Sequence, residues 1–332
     1  MRIDFQQVSF SYAGADAMKQ DATKRGKRNA AAQISDSLSR HGQAAWGTDP
    51  QERWALQDVS FILDHGEFLG IAGHTGSGKS TLIQHLNGLL HPTKGRVLVD
   101  GQDLAVKAAA RKVRGAVGVV FQYPEHQLFA RTVYDDVAFG PRNLGLGEDQ
   151  VAQRVQRALS QVGLDADAIG GFSPFELSGG QQRRVAFAGV LAMDPQVLVL
   201  DEPVAGLDPA ARESFLQLIC DLHGAGLGVV MVSHNMNDLA RLCNRVLVLS
   251  QGRQLFLDTP EQVFSHEEDL HAAGLDVPAA QRMANALRRR GLALPRKLYA
   301  TAQDLAYELA VLYSKKAAAP AVDPFDQTQV RP

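Results

Sequence analysis

Long apolar runs are missing from this sequence. No stretch of its 332 residues approaches the roughly 20 consecutive apolar positions a membrane-crossing helix needs. The start, MRIDFQQVSF, has no apolar core of a secretory signal. The expectation is therefore a cytoplasmic chain unless a partner holds it at a membrane. Cysteine is scarce: Cys220 and Cys243 stand apart, which excludes a disulfide scaffold or a cysteine metal cluster and leaves them as small core side chains. A charge excess is absent too. With 34 basic and 36 acidic side chains the formal charge is -2, so nothing draws the whole chain toward nucleic acid or an anionic bilayer. What is present is 45% hydrophobic residues, enough for a substantial core with one smaller appended unit.

Ile3 to Tyr12 alternates like an edge strand and then stops. From Gly14 to Glu52 large apolar residues are few, which predicts an inserted surface loop. The basic cluster TKRGKR at Thr23 to Arg28 reads as a solvated face, with lipid headgroups or nucleic acid as the alternative. Strands resume with WALQDVSFIL and FLGIAG, the second running straight into glycines. A helix is expected over 80–90, followed by strands at GRVLVDG and GAVGVVFQ. Between about 124 and 191 the pattern turns helical, with Val151, Val155, Leu159 and Val162 on one apolar face and Gly163 ending it. Four strand signals then return: QVLVLD, GLGVVMVS, RVLVLSQG and RQLFLD. After Asp258, Thr259 and Pro260 open a helix. Two amphipathic helices follow within 259–316, the second with Leu305, Leu309 and Leu312 on a stripe and Asp304 three residues after the candidate cap Thr301. That stripe packs on the main domain or covers a partner. Residues 317–332 are read as a tail.

GHTGSGKS, comprising Gly73, His74, Thr75, Gly76, Ser77, Gly78, Lys79 and Ser80, has the spacing of a phosphate-binding loop between a strand and a helix. Glycines let successive N–H groups face a phosphate, Lys79 adds a point charge, and Ser80 is suited to Mg²⁺. VLVLDEP ends a buried strand in two carboxylates. Asp201 is the candidate near Mg²⁺, and Glu202, pointing elsewhere, is the candidate to orient an attacking water; the bland alternative is that Glu202 caps a helix near Pro203. His234, after another apolar strand, by itself reads as a structural histidine.

Taken in order, Gly73 to Ser80, Gln122, the LSGGQ run at Leu177 to Gln181, Asp201 with Glu202, AGLD at Ala205 to Asp208 and His234 resemble the motif set of an ABC-type ATPase. The resemblance implies an α/β phosphate-loop ATPase domain over residues 1–258, with a helical subdomain and a small C-terminal helical appendage. It implies ATP and Mg²⁺ as cofactors, with Thr81 following the loop, Ser80, Gln122 and Asp201 around the metal, and Glu202, His234 and Gln122 catalytic. Tyr12 resembles the aromatic that stacks on adenine. In that family two ATPase domains meet head to tail, so Ser178, Gly179, Gly180 and Gln181 would close over the partner's ATP, and Asp208 resembles the aspartate crossing the seam. Val204 stands where threonine is common.

GHTGSGKSTLIQHLNGLLHPTKG, FQYPEHQLFARTVYDDVAFGPRNLG and FELSGGQQRRVAFAGVLAMDP, with the C-terminal helices, look like an ATPase of an energy-coupling factor transporter. The resemblance covers roughly residues 1–13 and 53 to about 312. His74 and the PEHQLF run favour the second ATPase of an unequal pair. It implies a second ATPase subunit, a transmembrane scaffold docking after Gln122, a membrane substrate-binding subunit, and a peripheral place on the cytoplasmic face of the cell membrane. The alternatives are a subunit of another ABC importer or exporter, and a soluble ABC ATPase acting on DNA or ribosomes.

Overall fold

The computed structural model describes residues 1–12 and 54–318, with side chains through residue 314. The expected insertion at 14–52, with its basic cluster, and the tail beyond 318 lie outside them.

Ten strands form two sheets among the described residues. The first is antiparallel, in the order β2 (Leu56–Leu63), β1 (Ile3–Phe10), β4 (Lys94–Val99), β5 (Gln102–Asp103). The second runs β10 (Arg253–Asp258), β9 (Arg245–Ser250), β3 (Phe68–Ala72), β8 (Gly228–Val232), β7 (Val197–Asp201), β6 (Val117–Val120), parallel except for β10. The central strands are apolar throughout because both of their faces are covered. Alternate side chains enter different cores. Leu69, Ile71, Val197, Val199, Val230 and Val232 face the antiparallel sheet and helix α1 (Lys79–Leu86). Their neighbours Phe68, Leu198, Leu200, Val229 and Met231 face the helices on the other side. A one-residue slip would exchange the two sets, so both cores fix the register.

Ile3–Phe10 is not the edge strand its pattern suggests. It lies between β2 and β4 and bonds to both. Pairing with segments far along the chain decides edge or interior, and alternation within one strand carries no trace of that.

After α2 (Lys107–Ala116) and β6 come the helices of the subdomain: α3 (Val133–Asn143), α4 (Glu148–Gln161), α5 (Ala166–Ile169) and α6 (Gly179–Leu191). Val151, Val155 and Leu159 bury the face of α4 expected from their spacing, and Gly163, at φ +74, turns the chain out of it. α7 (Pro209–Gly224) and α8 (Met236–Leu242) connect β7 to β8 and β8 to β9.

Beyond β10, Thr259 caps α9 (Pro260–Val263) by accepting from Gln262 N–H, and α10 (Glu267–Ala272), α11 (Ala279–Arg289) and α12 (Ala302–Ala318) follow. Thr301 and Asp304 bond reciprocally at the start of α12, as their spacing predicts. The Leu305, Leu309, Leu312 stripe packs neither on the main domain nor on an open face. It closes a small separate core with Ala280, Ala284, Leu294 and Tyr299. The exposed aromatic rings of α12 are Tyr307 and Tyr313 instead. A helical stripe predicts burial, and here the preceding helix of the same appendage, twelve residues upstream, takes it.

Gly95 has φ +77, and a Cβ there would stand 2.2 Å from the Gln7 carbonyl oxygen, where β1 crosses close to β4; Gly101 has φ +78 with nothing within 4 Å. Both substitutions to alanine incur the left-handed backbone penalty of about 1–2 kcal/mol. Gly95→Ala adds a clash with backbone and is expected to lose about 3 kcal/mol or more. Urea unfolding followed by circular dichroism separates them, and equal losses would mean that the contact at Gly95 relaxes freely.

Candidate nucleotide site

Three neighbouring parallel strands, β3, β8 and β7, deliver the candidate groups at their carboxyl ends, the place where open α/β sheets bind ligands. From β3 the chain enters Gly73 to Ser80. A Cβ on Gly73 would lie 2.3 Å from Ser77 Oγ and 2.6 Å from the Leu249 oxygen, and one on Gly78, at φ +103, would lie 2.5 Å from the Ala55 oxygen. Glycine is therefore required at both ends of the loop. Ser77 is fully buried, and its Oγ has no partner among the described residues. Gly78 begins α1 with no side-chain cap and no acidic residue in the first turn, which leaves the helix N–H groups and the positive end of its dipole to an anion.

Lys79 folds back over this loop. Its Nζ donates to the Gly73 and His74 carbonyl oxygens at 2.7 and 2.9 Å. Burial lowers its pKa, while the charges of Glu202 and Asp201 act the other way. His74 Nδ1 lies 2.6 Å from the Thr75 oxygen. Thr75, Gly76 and Ser80 line the exposed side of the turn, Gly76 at φ +83. Tyr12 is 45% exposed, edge-on to Phe10, with its hydroxyl 3.1 Å from Thr81 Oγ1. A free aromatic face is thus pinned to the start of α1.

β7 ends at Asp201, in register with Val232 of β8. Glu202 follows with φ +49 and its N–H on the Val232 oxygen at 3.1 Å. A non-glycine residue in the left-handed region is uncommon and strained, and such residues concentrate at functional sites. Here one falls directly after the strand end, at the second of two consecutive carboxylates. Burial raises the Asp201 pKa, opposed by Lys79. Glu202 is pushed up to about 7 by burial and by the Asp201 charge, against the His234 backbone hydrogen bond and Lys79. His234 Nε2 is 3.5 Å from Glu202 Oε1, and burial with the Lys79 charge lowers the histidine's pKa. At neutral pH the pair is a neutral imidazole beside a carboxyl poised to exchange a proton. Gln122 is exposed one residue beyond Phe121 at the end of β6, and Tyr123 after it has φ +57.

The candidate metal donors suit a hard cation by their chemistry: the Ser80 hydroxyl, the Gln122 amide oxygen and the Asp201 carboxylate, whose proton affinity burial raises. No group of three or more His, Cys, Asp or Glu among the described residues could hold a metal on its own.

The remaining predicted residues do not join this cluster. Ser178 caps α6 in a reciprocal box with Gln181: Gln181 N–H donates to Ser178 Oγ at 3.4 Å and Ser178 N–H to Gln181 Oε1 at 3.1 Å. A Cβ on Gly179 or Gly180 would meet nothing, and neither has a positive φ. Nothing among the described residues demands glycine there. α6 packs chiefly on α3, α4, β6 and the 124–127 turn, none of which carries the phosphate loop. Asp208 caps α7, Oδ1 accepting from Ala210 and Ala211 N–H at 3.0 Å each.

Sequence reasoning missed Arg183. Its side chain is 4% exposed and donates to Glu125 from Nε at 3.1 Å and to the Ala205 carbonyl oxygen from Nη1 at 3.0 Å. The available signal was an arginine sharing the buried stripe of Phe187 and Leu191 at i, i+4 and i+8. A cavity of about 490 Å³ beside Glu202 and His234 is walled on its far side by Asp276, Val277 and Ala279 of the appended segment, whose Ala279 N–H donates to Asn237 Oδ1 at 3.0 Å.

Glu202 also predicts a stability effect. Its carboxyl binds a proton more tightly folded, near 7, than at the ordinary 4.5. The stabilising contribution of the protonated form is complete below about 4.5 and lost as pH rises through 7. Glu202→Gln mimics the protonated carboxyl, so the nucleotide-free variant is expected to melt a few degrees above the parent at pH 8, with the gap closing toward pH 5. A gap independent of pH in scanning calorimetry would refute the shift.

The sequence profile of the ABC transporter family matches residues 56–205. The energy-coupling factor transporter ATP-binding protein EcfA2 of Symbiobacterium thermophilum is 55% identical over 265 residues, 80% of this chain and 92% of that protein. The structure of cbiO1 from Clostridium perfringens, part of the ABC transporter complex cbiONQ, superposes with a TM-score of 0.63 at 30% identity, covering 86% of this chain and 98% of that one. A dimeric, post-hydrolysis structure of the ATP-binding cassette MJ0796 bound to ADP and Pi gives 0.60 at 25% identity, covering 78% and 98%. Identity above one half, sustained along nearly the whole of a relative, goes well past a shared fold: the chain belongs to the ATP-binding proteins of energy-coupling factor transporters, within the ABC ATPases.

Proposed function

We propose that this chain is the ATP-hydrolysing subunit that powers uptake of a vitamin or a transition-metal ion through an energy-coupling factor transporter, as the second ATPase of an unequal pair. The observation that carries the reading is a complete phosphate loop and carboxylate–histidine cluster in one place, with signature glycines elsewhere that the chain itself does not need. The loop N–H groups and the α1 N-terminus bind the phosphates, and Lys79 turns from the Gly73 and His74 carbonyls to the β- and γ-phosphates. Tyr12 stacks on the adenine. Ser80, Asp201 and Gln122 would hold Mg²⁺, which when bound neutralises phosphate oxygens. Glu202 accepts a proton from the attacking water, and His234 holds the γ-phosphate and the Glu202 carboxyl in place. Ser178, Gly179, Gly180 and Gln181 close over the partner's ATP, with Asp208 at the seam.

No helix among the described residues is long and apolar enough to cross a membrane. The membrane work belongs to partners: a transmembrane scaffold docking near the segment after Gln122 and a membrane substrate-binding subunit, with this chain peripheral on the cytoplasmic face. Exposed Phe129 and Phe139, edge to face at 4.9 Å beside that segment, support a docking surface there.

Glu202→Gln should keep MgATP affinity and lose hydrolysis by about 10²-fold or more, whereas Lys79→Ala should weaken nucleotide binding itself; equilibrium titration beside steady-state turnover distinguishes them. Turnover near the parent rate in Glu202→Gln would remove Glu202 as the base. In a mixed reconstitution with an unmodified partner ATPase, Ser178→Arg should abolish ATP-dependent closure at the partner's phosphate loop and leave binding at Gly73 to Ser80 intact. Damage confined to this chain's own site would overturn the head-to-tail assignment.

A further inference from the structure

The geometry points to Arg183 as a positioning residue that ties the Pro124–Gln127 turn, the signature helix α6 and the Ala205–Asp208 loop into one unit, so that displacing the turn moves both loops of the closing interface together. This rests on the proposed role of that turn as the docking segment, and it adds the connection from there to the ATP seam.

Three independent contacts meet on this side chain. Nε and Nη2 reach the two Glu125 oxygens at 3.1 and 3.4 Å, and Nη1 donates to the Ala205 oxygen at 3.0 Å. The planar guanidinium is the one side-chain group able to satisfy a carboxylate on one edge and a carbonyl on another without changing rotamer. The Tyr123 ring lies 6.0 Å from the Arg183 guanidinium carbon, and a Cβ on Gly206, at φ +75, would stand 3.5 Å from Tyr123 Cε1, in ordinary contact. Both the turn and the seam loop therefore bear on the same charged side chain and the same ring.

Burial makes this contact one of geometry rather than surface charge. Arg183 is 4% exposed and Glu125 20%, so leaving either alone is strongly disfavoured and the two shift as a pair. Arg183 is five residues beyond Ser178, inside the first turn and a half of a helix whose N-terminus is the signature loop. A displacement of Glu125 is thus delivered to Ser178 through rigid helix and to Gly206–Asp208 through the Ala205 carbonyl. Arg184, its neighbour, points elsewhere, donating to the Val162 oxygen and Ser214 Oγ.

The test uses the assembled complex of this chain, its partner ATPase and the membrane scaffold. The Glu125→Gln/Arg183→Met double variant removes both charges together, so it does not strand one of them. ATP affinity is expected to stay within twofold of the parent, KM likewise, while kcat falls at least tenfold and amide exchange at Gly206 and Leu207 accelerates at least tenfold. Glu125→Gln alone keeps an acceptor oxygen in reach of Arg183 but loosens the turn; stimulation by the scaffold should drop at least fivefold, with a smaller loss of basal turnover in the scaffold-free pair than the double variant shows. Arg183→Lys, which keeps charge but cannot serve both edges, should fall between the parent and the double variant. Unchanged exchange at 206 and 207 in a folded variant, or a kcat loss matched by equal losses of ATP affinity and melting temperature, overturns the proposal. Should the scaffold fail to stimulate the parent complex, the docking reading fails, and the link from Arg183 to Ala205 is still decided by the exchange measurement. If the double variant does not fold, Glu125→Gln and Arg183→Lys carry the same comparison.

Discussion

Asp201 and Glu202 leave β7 side by side and share the influence of a single ammonium, Lys79. Two carboxylates half-withdrawn from water against one cation cannot all be comfortable at once. Burial raises the proton affinity of both carboxyls, and the Asp201 charge adds to it at Glu202, which reaches about 7; the two carboxylates in turn oppose the burial that lowers the lysine's pKa. The imbalance also makes added positive charge, and the loss of a proton from water, favourable in the same small volume. The fold holds this arrangement by ending three parallel strands together, with a left-handed backbone at Glu202 directly after the strand end.

The signature helix packs away from the elements that carry the phosphate loop. α6 presents a capped, uncrowded N-terminus to solvent, and Asp208 is anchored as a helix cap. On the proposed head-to-tail pairing, a second chain would complete the site, and catalysis would then be conditional on assembly rather than on ATP alone. The appended helices reach the first half directly, through the Ala279 bond to Asn237 and the walls of the cavity beside His234.

Much of this was legible in the sequence because the informative patterns are local. A strand, a glycine turn and a helix must be contiguous to cradle a phosphate, so Gly73 to Ser80 could be read directly, and apolar strands ending in Asp201 or near His234 announced where those groups would emerge. The spacing of Val151, Val155 and Leu159 likewise located a buried helix face. What escaped was non-local. Whether β1 lies at an edge depends on pairing with β2 and β4, which its own alternation does not encode. The Leu305 stripe predicted burial and not its partner, and Arg183 looked like the tail of a motif because its charge is matched by Glu125 and a carbonyl from separate segments. The strain at Glu202 is invisible to composition, since glutamate does not ordinarily favour that backbone region.

Gly179 and Gly180 carry a different kind of consequence. Both open a helix, neither needs a positive φ, and open space surrounds the position a Cβ would take. In the isolated chain alanine is the better residue at such positions, by a few tenths to about 1 kcal/mol. A directed-evolution or consensus campaign scored on the melting temperature of the purified subunit would be drawn to these two sites, and its most robust products would be its poorest transporters. On the proposed head-to-tail pairing, selection for a stabilised form of this protein has to be run on the ATP-closed pair, where the partner's ATP would crowd these two positions.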